Sequence, residues 1–330
     1  MKVTIKSAEE IEKMRRAGEI LAAVHQNLAR EIKPGMSTLD IDRLGEEMIR
    51  GYGCIPSFKN YCGYPASICV SVNEEVVHGI PTDERIIKEG DIVSLDAGVI
   101  YEGYHSDAAR TVAVGEVSEE AKLLIERTRQ SFIEGMKKAV AGNHLYDISA
   151  AIGDYANQFG YGVVEDLCGH GIGSHLHEEP EIPNFRQSRF RRGIKLKPGM
   201  TLAVEPMINV GTKDVLWMDD EWTVVTEDKS LSAHYENTIL ITDGKPEILS
   251  LTEEEKKAGI KLKPGMTLAV EPMINVGTKD VLWMDDEWTV VTEDKSLSAH
   301  YENTILITDG KPEILSLTEE EKKAGFLNLF

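Results

Sequence analysis

The sequence predicts an α+β protein built on a largely antiparallel sheet. Helical patterns come in adjacent pairs, and runs of β-branched residues alternating with polar ones follow each pair. No regular strand–helix–strand alternation links them, which argues against a parallel sheet. Taken in order, Ser7 and Glu10 form a capping box that opens a helix. Along it Ile11, Met14, Ala17, Leu21, Val24 and Leu28 keep a period of about 3.6 residues, and the pattern stops before Pro34 and Gly35. Thr38 starts a second helix running towards Gly51. Residues 65–80 and 91–115 alternate as strands do. Two further helical patterns cover 118–141 and 145–159, and a Gly-rich loop follows from Gly169 to Gly173. Met200–Glu205, Glu221–Val225 and Asn237–Thr242 are strand-like again.

Composition excludes several classes. Hydrophobic residues make up 42% and charged residues 28%, the proportions of a soluble globular chain. No apolar run is long enough for a membrane span, and the first ten residues lack the apolar stretch of a signal peptide. Cys54, Cys62, Cys69 and Cys168 form no CxxC pair, so reduced thiols in a cytoplasmic protein are expected. A net charge of −20 argues against a nucleic-acid groove, which needs a basic face.

An internal repeat reorganises the reading. Residues Ile194 to Gly259 recur letter for letter as Ile260 to Gly325, followed by a tail at 326–330. Solenoid repeats drift on their exposed faces and come in threes or more. Complete identity instead points to a recent tandem duplication, an assembly or cloning event, or a design, and duplication without new function is the expectation. The expected organisation is a catalytic domain over 1–259 and a surplus copy over 260–325.

Candidate chemistry begins with Asp96 and Asp107, on strand-like stretches either side of a turn around Tyr101–Gly103. If the turn centres between residues 101 and 102, the two aspartates face each other directly, with Cβ atoms about 5 Å apart. Two like charges at that distance repel unless a cation or proton lies between them. Solvated hairpin residues are the alternative. His170 lies among glycines that permit close backbone approach, and His177 follows seven residues on. Glu205 and Glu236 adjoin apolar strands, where a carboxylate is costly to bury unless it is paired or metal-bound. Together Asp96, Asp107, His170, Glu205 and Glu236 offer four carboxylates and one imidazole. Such a set suits divalent Mn, Fe, Co or Zn, and carboxylates can bridge two ions.

In this order and spacing, these residues resemble type I methionine aminopeptidases of the pita-bread fold. The resemblance covers 1–259 and rests on Val77–Pro81, Ser94–Asp96, Asp107, Gly169–Gly173, His177–Pro180, Thr201–Met207 and Tyr235–Thr238. It implies two divalent metal ions, with Asp107 and Glu236 bridging. Asp96 would complete one site, and His170 with Glu205 the other. Glu205 would also act as general base, His177 would donate to the scissile carbonyl, and His78 would contact the scissile amide. Tyr61, Tyr64, Cys69 and Trp222 match positions lining the methionine pocket, whereas Leu176 stands where an aromatic residue is common. A long type II insertion and a zinc-binding N-terminal extension are both missing, which implies a bacterial-style minimal enzyme. The implied reaction is hydrolytic removal of N-terminal methionine from nascent proteins, favoured by a small second residue. A monomeric catalytic unit working near the ribosome goes with it.

The repeat doubles only two ligands, so a single site takes either Glu205 with Glu236 or Glu271 with Glu302. Loop-closure entropy and order of synthesis both favour the first pair. The second copy lacks partners for its strands, and its edges invite aggregation or exchange. Two other functions share the fold: a non-catalytic protein that binds peptides or partners, and an Xaa-Pro aminopeptidase or prolidase.

Overall fold

The computed structural model describes residues 3–188, 191–258, 267–270, 273–278, 281–283, 290–300, 303–306 and 313–314. Residues 1–257 form one compact unit and residues 258–330 a second.

The first unit opens as its caps dictate. Ser7 accepts from the Glu10 amide while the Glu10 carboxylate accepts from the Ser7 amide, and helix α1 runs Ala8–Glu31. Ser37 and Asp40 make the same box at α2 (Thr38–Gly51). Strands β1 (Ile55–Pro56), β2 (Ile68–Val72), β3 (Glu75–Val77), β4 (Ile92–Tyr101) and β5 (Tyr104–Ala113) follow. β4 pairs antiparallel with β1, β2 and β5. The apolar stripe of α1, including Leu21, Val24 and Leu28, packs with Val93, Leu95 and Ala97 of β4 in one core cluster.

Next come α3 (Glu119–Met136), α4 (Leu145–Asn157), β6 (Gly162–Val163), β7 (Gly169–Gly171) and β8 (Glu178–Ile182). They are followed by β9 (Thr201–Val204), β10 (Met207–Asn209), β11 (Val215–Trp217), β12 (Val224–Thr226), β13 (Ser232–His234), β14 (Asn237–Leu240), β15 (Glu247–Ile248) and α5 (Glu253–Ala258). A five-stranded sheet has the order β15-β14-β9-β7-β8, and its pairings are antiparallel. α3 and α4 pack together, and Phe132, Ile148 and Ile152 bury against Leu202, Val204 and Ile239 of that sheet. The α+β class with antiparallel sheets is therefore the observed one. Among the described residues no helix is long and apolar enough to cross a membrane.

Several sequence expectations need correction. The β4–β5 turn is a two-residue loop, Glu102-Gly103, with both residues at positive φ (46° and 83°). That conformation matches the twist of the flanking strands and moves the centre of the hairpin one position on. Asp96 consequently lies opposite Ala109 and Asp107 opposite Gly98, so the aspartates are diagonal neighbours on one face, not a facing pair. The Gly169–Gly173 stretch is not simply a loop. Its first three residues are β7, seated between β8 and β9, where a Cβ at Gly171 would meet the Glu179 carbonyl. The predicted strand at 65–80 divides at Asn73, whose φ is 59°. The predicted strand at Glu221 begins only at Val224, because Asp220 accepts from the amides of Trp222 and Thr223 and holds them in a turn.

The second unit repeats the internal pairing of its counterpart. β16 (Thr267–Val270), β17 (Met273–Asn275), β18 (Val281–Trp283), β19 (Val290–Thr292), β20 (Ser298–His300), β21 (Asn303–Leu306) and β22 (Glu313–Ile314) pair as β16-β21-β22, β17-β20 and β18-β19. Missing among the described residues are strands corresponding to β7, β6 and β3, which pair with β9, β10 and β12 in the first unit. Met207 and Ile208 are 1% and 0% exposed, whereas their duplicates Met273 and Ile274 are each 68% exposed. Among the described residues the second copy thus keeps the strand pairings internal to the repeat, without strands corresponding to β7, β6 and β3.

Candidate active site

Asp96, Asp107, His170, Glu205 and Glu236 reach one cavity of about 560 Å³. Each arrives on a different strand or strand end. Asp96 and Asp107 come from β4 and β5, and His170 from the centre of β7. Glu205 comes just after β9, and Glu236 comes between β13 and β14. Antiparallel pairing of β7 with β9 sets His170 opposite Ala203, two residues before Glu205. The ligand atoms of Asp107, His170 and Glu236 all lie within 4.8 Å of one another. His170 Nε2 is 3.7 Å from Glu205 Oε1 and 3.9 Å from Asp107 Oδ2. Glu271 and Glu302 lie outside the described residues.

The electrostatics of this cluster call for a cation. Burial pushes the Asp96 carboxyl up to about 7. It also raises Asp107, Glu205 and Glu236 well above the carboxylate range, and the neighbouring carboxylates push each further. Asp96 Oδ1 and Glu236 Oε1 are buried with no hydrogen-bond partner among the described residues. His170 Nδ1 lies 2.9 Å from the Gly171 carbonyl, which fixes the proton there and turns the Nε2 lone pair towards the carboxylates. Unsatisfied carboxylate oxygens facing a bare imidazole nitrogen fit a divalent cation, whose charge would reverse the upward shifts.

The remaining predicted residues surround this cluster. Tyr61, Tyr64, Cys69, His78, His177 and Trp222 all line the same cavity, as does Leu176. Tyr64 is buried and donates to the Gly79 carbonyl at 3.0 Å, and its ring meets Trp222 edge-on at 5.1 Å. Trp222 reaches the cavity from the turn that Asp220 caps, and His78 packs edge-on against it at 6.2 Å. His78 sits at φ 59°, and burial lowers its pKa to about 4, so the ring is neutral near pH 7. Tyr61 and His177 are joined by a 2.9 Å contact from the phenol oxygen to Nδ1. All eleven predicted residues are therefore brought together.

Two groups beside the site escaped sequence reasoning. His234 is fully buried, with neither ring nitrogen hydrogen-bonded among the described residues, and its Nε2 is 3.7 Å from Glu205 Oε2. Nothing in its local sequence distinguishes it from a core histidine. Arg110, also buried, donates to the carbonyl of Glu236 and to the carboxylate of Glu255, with Nε–Oε1 at 2.8 Å, and stacks on Tyr235. It anchors the segment that carries Glu236. Its charge directly after Ala108 and Ala109 in a strand-like run was the available signal.

Comparison with known proteins agrees with this geometry. The pattern of metallopeptidase family M24 matches residues 12–243. A methionine aminopeptidase of Clostridium acetobutylicum is 55% identical over 251 residues, covering 76% of this chain and 100% of that protein. Methionine aminopeptidase 1 of Bacillus subtilis is 46% identical, covering 75% and 99%. The crystal structure of methionine aminopeptidase from Thermotoga maritima superposes with a TM-score of 0.74 at 43% identity, over 76% of this chain and all of that one. The expected pita-bread architecture is the one these relatives share. The chain belongs to metallopeptidase family M24, among the bacterial-like type I methionine aminopeptidases.

Proposed function

We propose that this chain hydrolyses the N-terminal methionine from nascent polypeptides, preferring a small second residue. The observation that carries the reading is the convergence of four carboxylates and the bare Nε2 of His170 beside an apolar recess lined by Tyr64, Cys69 and Trp222. That pairing suits a linear apolar side chain held next to a hydrolytic centre. The similarity to enzymes named methionine aminopeptidase favours it over Xaa-Pro cleavage and over non-catalytic binding.

Two divalent ions of Co, Mn, Fe or Zn would fit this donor set, and Asp96, Asp107, His170, Glu205 and Glu236 are the residues that would hold them. When bound, they supply Lewis-acid polarisation and a water that is nucleophilic near neutral pH. Glu205 takes the proton of the attacking water and delivers it to the leaving amine. His177 donates to the carbonyl oxygen as charge develops there. His78 orients the scissile amide, while Tyr61, Tyr64, Cys69 and Trp222 enclose the methionine side chain.

Glu205 and Glu236 of the first copy serve the site, and residues 260–325 lie outside the catalytic core. Use of the second copy would turn 194–259 into a long insertion, and the first copy leaves the ribosome earlier. A monomeric catalytic unit acting in the cytoplasm near the ribosome completes the reading. Incubation with Met-Ala-Ser and with an Xaa-Pro peptide tests it: methionine is released from the first and the second is left intact.

A further inference from the structure

His177 is held from two directions. On one side its Nδ1 meets the Tyr61 phenol at 2.9 Å. On the other, its neighbour Glu178 enters a buried cluster with the N-terminal segment. Glu178 Oε2 accepts from Lys6 Nζ and from Thr4 Oγ1, each at 2.6 Å, and Oε1 accepts from the His175 amide at 3.3 Å. Lys6 Nζ also reaches Thr4 Oγ1. The Lys6 and Glu178 side chains are only 4% and 5% exposed. The Lys6 amide donates to the Gly199 carbonyl at 2.8 Å, and a Cβ at Gly173 would strike the Lys6 side chain. The turn from Gly173 to Glu178 is therefore locked by residues about 170 positions away in the chain.

A buried ion pair adds little net stability over an apolar substitute, because desolvation offsets most of the attraction. What this pair does impose is a unique position for the turn. A neutral imidazole carries one N–H, and the bond made by one nitrogen decides which nitrogen holds the proton. A phenol donating to Nδ1 leaves the proton on Nε2, the nitrogen free to face a substrate carbonyl.

We propose that Tyr61 and the Thr4–Lys6–Glu178 cluster are positioning elements for His177, the phenol keeping the proton on Nε2 and the buried pair fixing the turn that carries the ring. This rests on the reading of His177 as the donor to the scissile carbonyl. The test combines ¹⁵N spectra of the histidine rings in zinc-loaded protein with Met-Ala-Ser kinetics for Tyr61→Phe, Lys6→Met, Lys6→Arg and Thr4→Val. Wild-type His177 shows the Nε2–H tautomer, and Tyr61→Phe shifts it towards Nδ1–H. Tyr61→Phe and Lys6→Met each lower kcat roughly 10- to 100-fold, the range for residues that orient a reacting group, with KM moved much less. Lys6→Arg restores most of the rate. Thr4→Val, which leaves no charge unpaired, gives a smaller loss of the same sign. A wild-type ring protonated on Nδ1, an unchanged tautomer in Tyr61→Phe, or wild-type kcat in either Tyr61→Phe or Lys6→Met overturns the proposal. Absence of methionine release by the wild type would sink the functional reading instead, and the ring spectra would still decide the tautomer.

Discussion

Asp96 and Asp107 sit diagonally across the β4–β5 hairpin, two residues out of direct opposition, with Asp96 facing Ala109 and Asp107 facing Gly98. Because strand side chains alternate with period two, both still project from one face. Diagonal neighbours stand farther apart than facing ones, which leaves more room between the carboxylates for an ion.

Replacing Asp96 with Asn therefore has opposite effects in two states of the protein. With divalent ions present, the variant loses metal and activity, by more than the 10- to 100-fold typical of groups that merely support a ligand. With ions stripped by a chelator, it is more stable than the wild type, since a buried repulsive charge has been removed. The Asp96 carboxyl is raised to about 7 from 3.8. In metal-free protein its charging thus costs stability progressively as pH rises from about 4 to about 7. Thermal unfolding with and without chelator, across that range, checks both signs.

The Glu255 carboxylate obeys the reverse rule. Burial pushes it up, but Arg110 and the hydrogen bonds from Thr252 and Tyr235 outweigh this and hold it at about 2. Its contribution is complete above its ordinary value of 4.5 and is lost as pH falls towards 2. Glu255→Gln leaves the Arg110 charge buried and unpaired, at an expected cost of about 3–5 kcal/mol near pH 7. Urea denaturation at pH 7 and pH 3 should show that difference shrinking at the lower pH.

Gly171 tests the β7 assignment. A methyl group there would approach the Glu179 carbonyl oxygen to 2.1 Å, in a strand paired on both sides. Gly171→Ala should destabilise by about 1–3 kcal/mol, the usual cost of overpacking. Displacement of His170 should weaken metal binding with it. Chemical denaturation and metal titration read the two effects separately.

The duplicated segment makes its own prediction. Glu205→Gln abolishes activity in the full chain, whereas Glu271→Gln leaves it intact. Residues 1–259 alone, and the chain lacking 194–259, should each be active, because each keeps one complete copy. An inactive Glu271→Gln chain beside an active Glu205→Gln chain would reverse the assignment of copies.

The start of α1 was legible because caps are local, and Ser7 with Glu10 carries its own signal. The clustering of the candidate residues was legible because a charge beside an apolar strand demands an explanation, as Glu205 and Glu236 did. Hairpin register was not, since it turns on the positive φ of Glu102, a residue that seldom adopts it. His234 stayed hidden because its closeness to Glu205 comes from the pairing of β10 with β13, far apart in sequence. The duplication itself was plain to read. Which copy serves the site was not written in either, because their local energies are the same.

The central claim is that the carboxylate–histidine cluster binds divalent metal and uses it to release N-terminal methionine. The direct measurement is methionine release from Met-Ala-Ser by chelator-stripped full-length protein, before and after addition of Co²⁺ or Mn²⁺, with an Xaa-Pro peptide alongside. The account predicts activity that appears only with added metal, acts on Met-Ala-Ser and leaves the Xaa-Pro peptide whole. Methionine release that persists without metal, or metal-restored cleavage of the Xaa-Pro peptide alone, would contradict it.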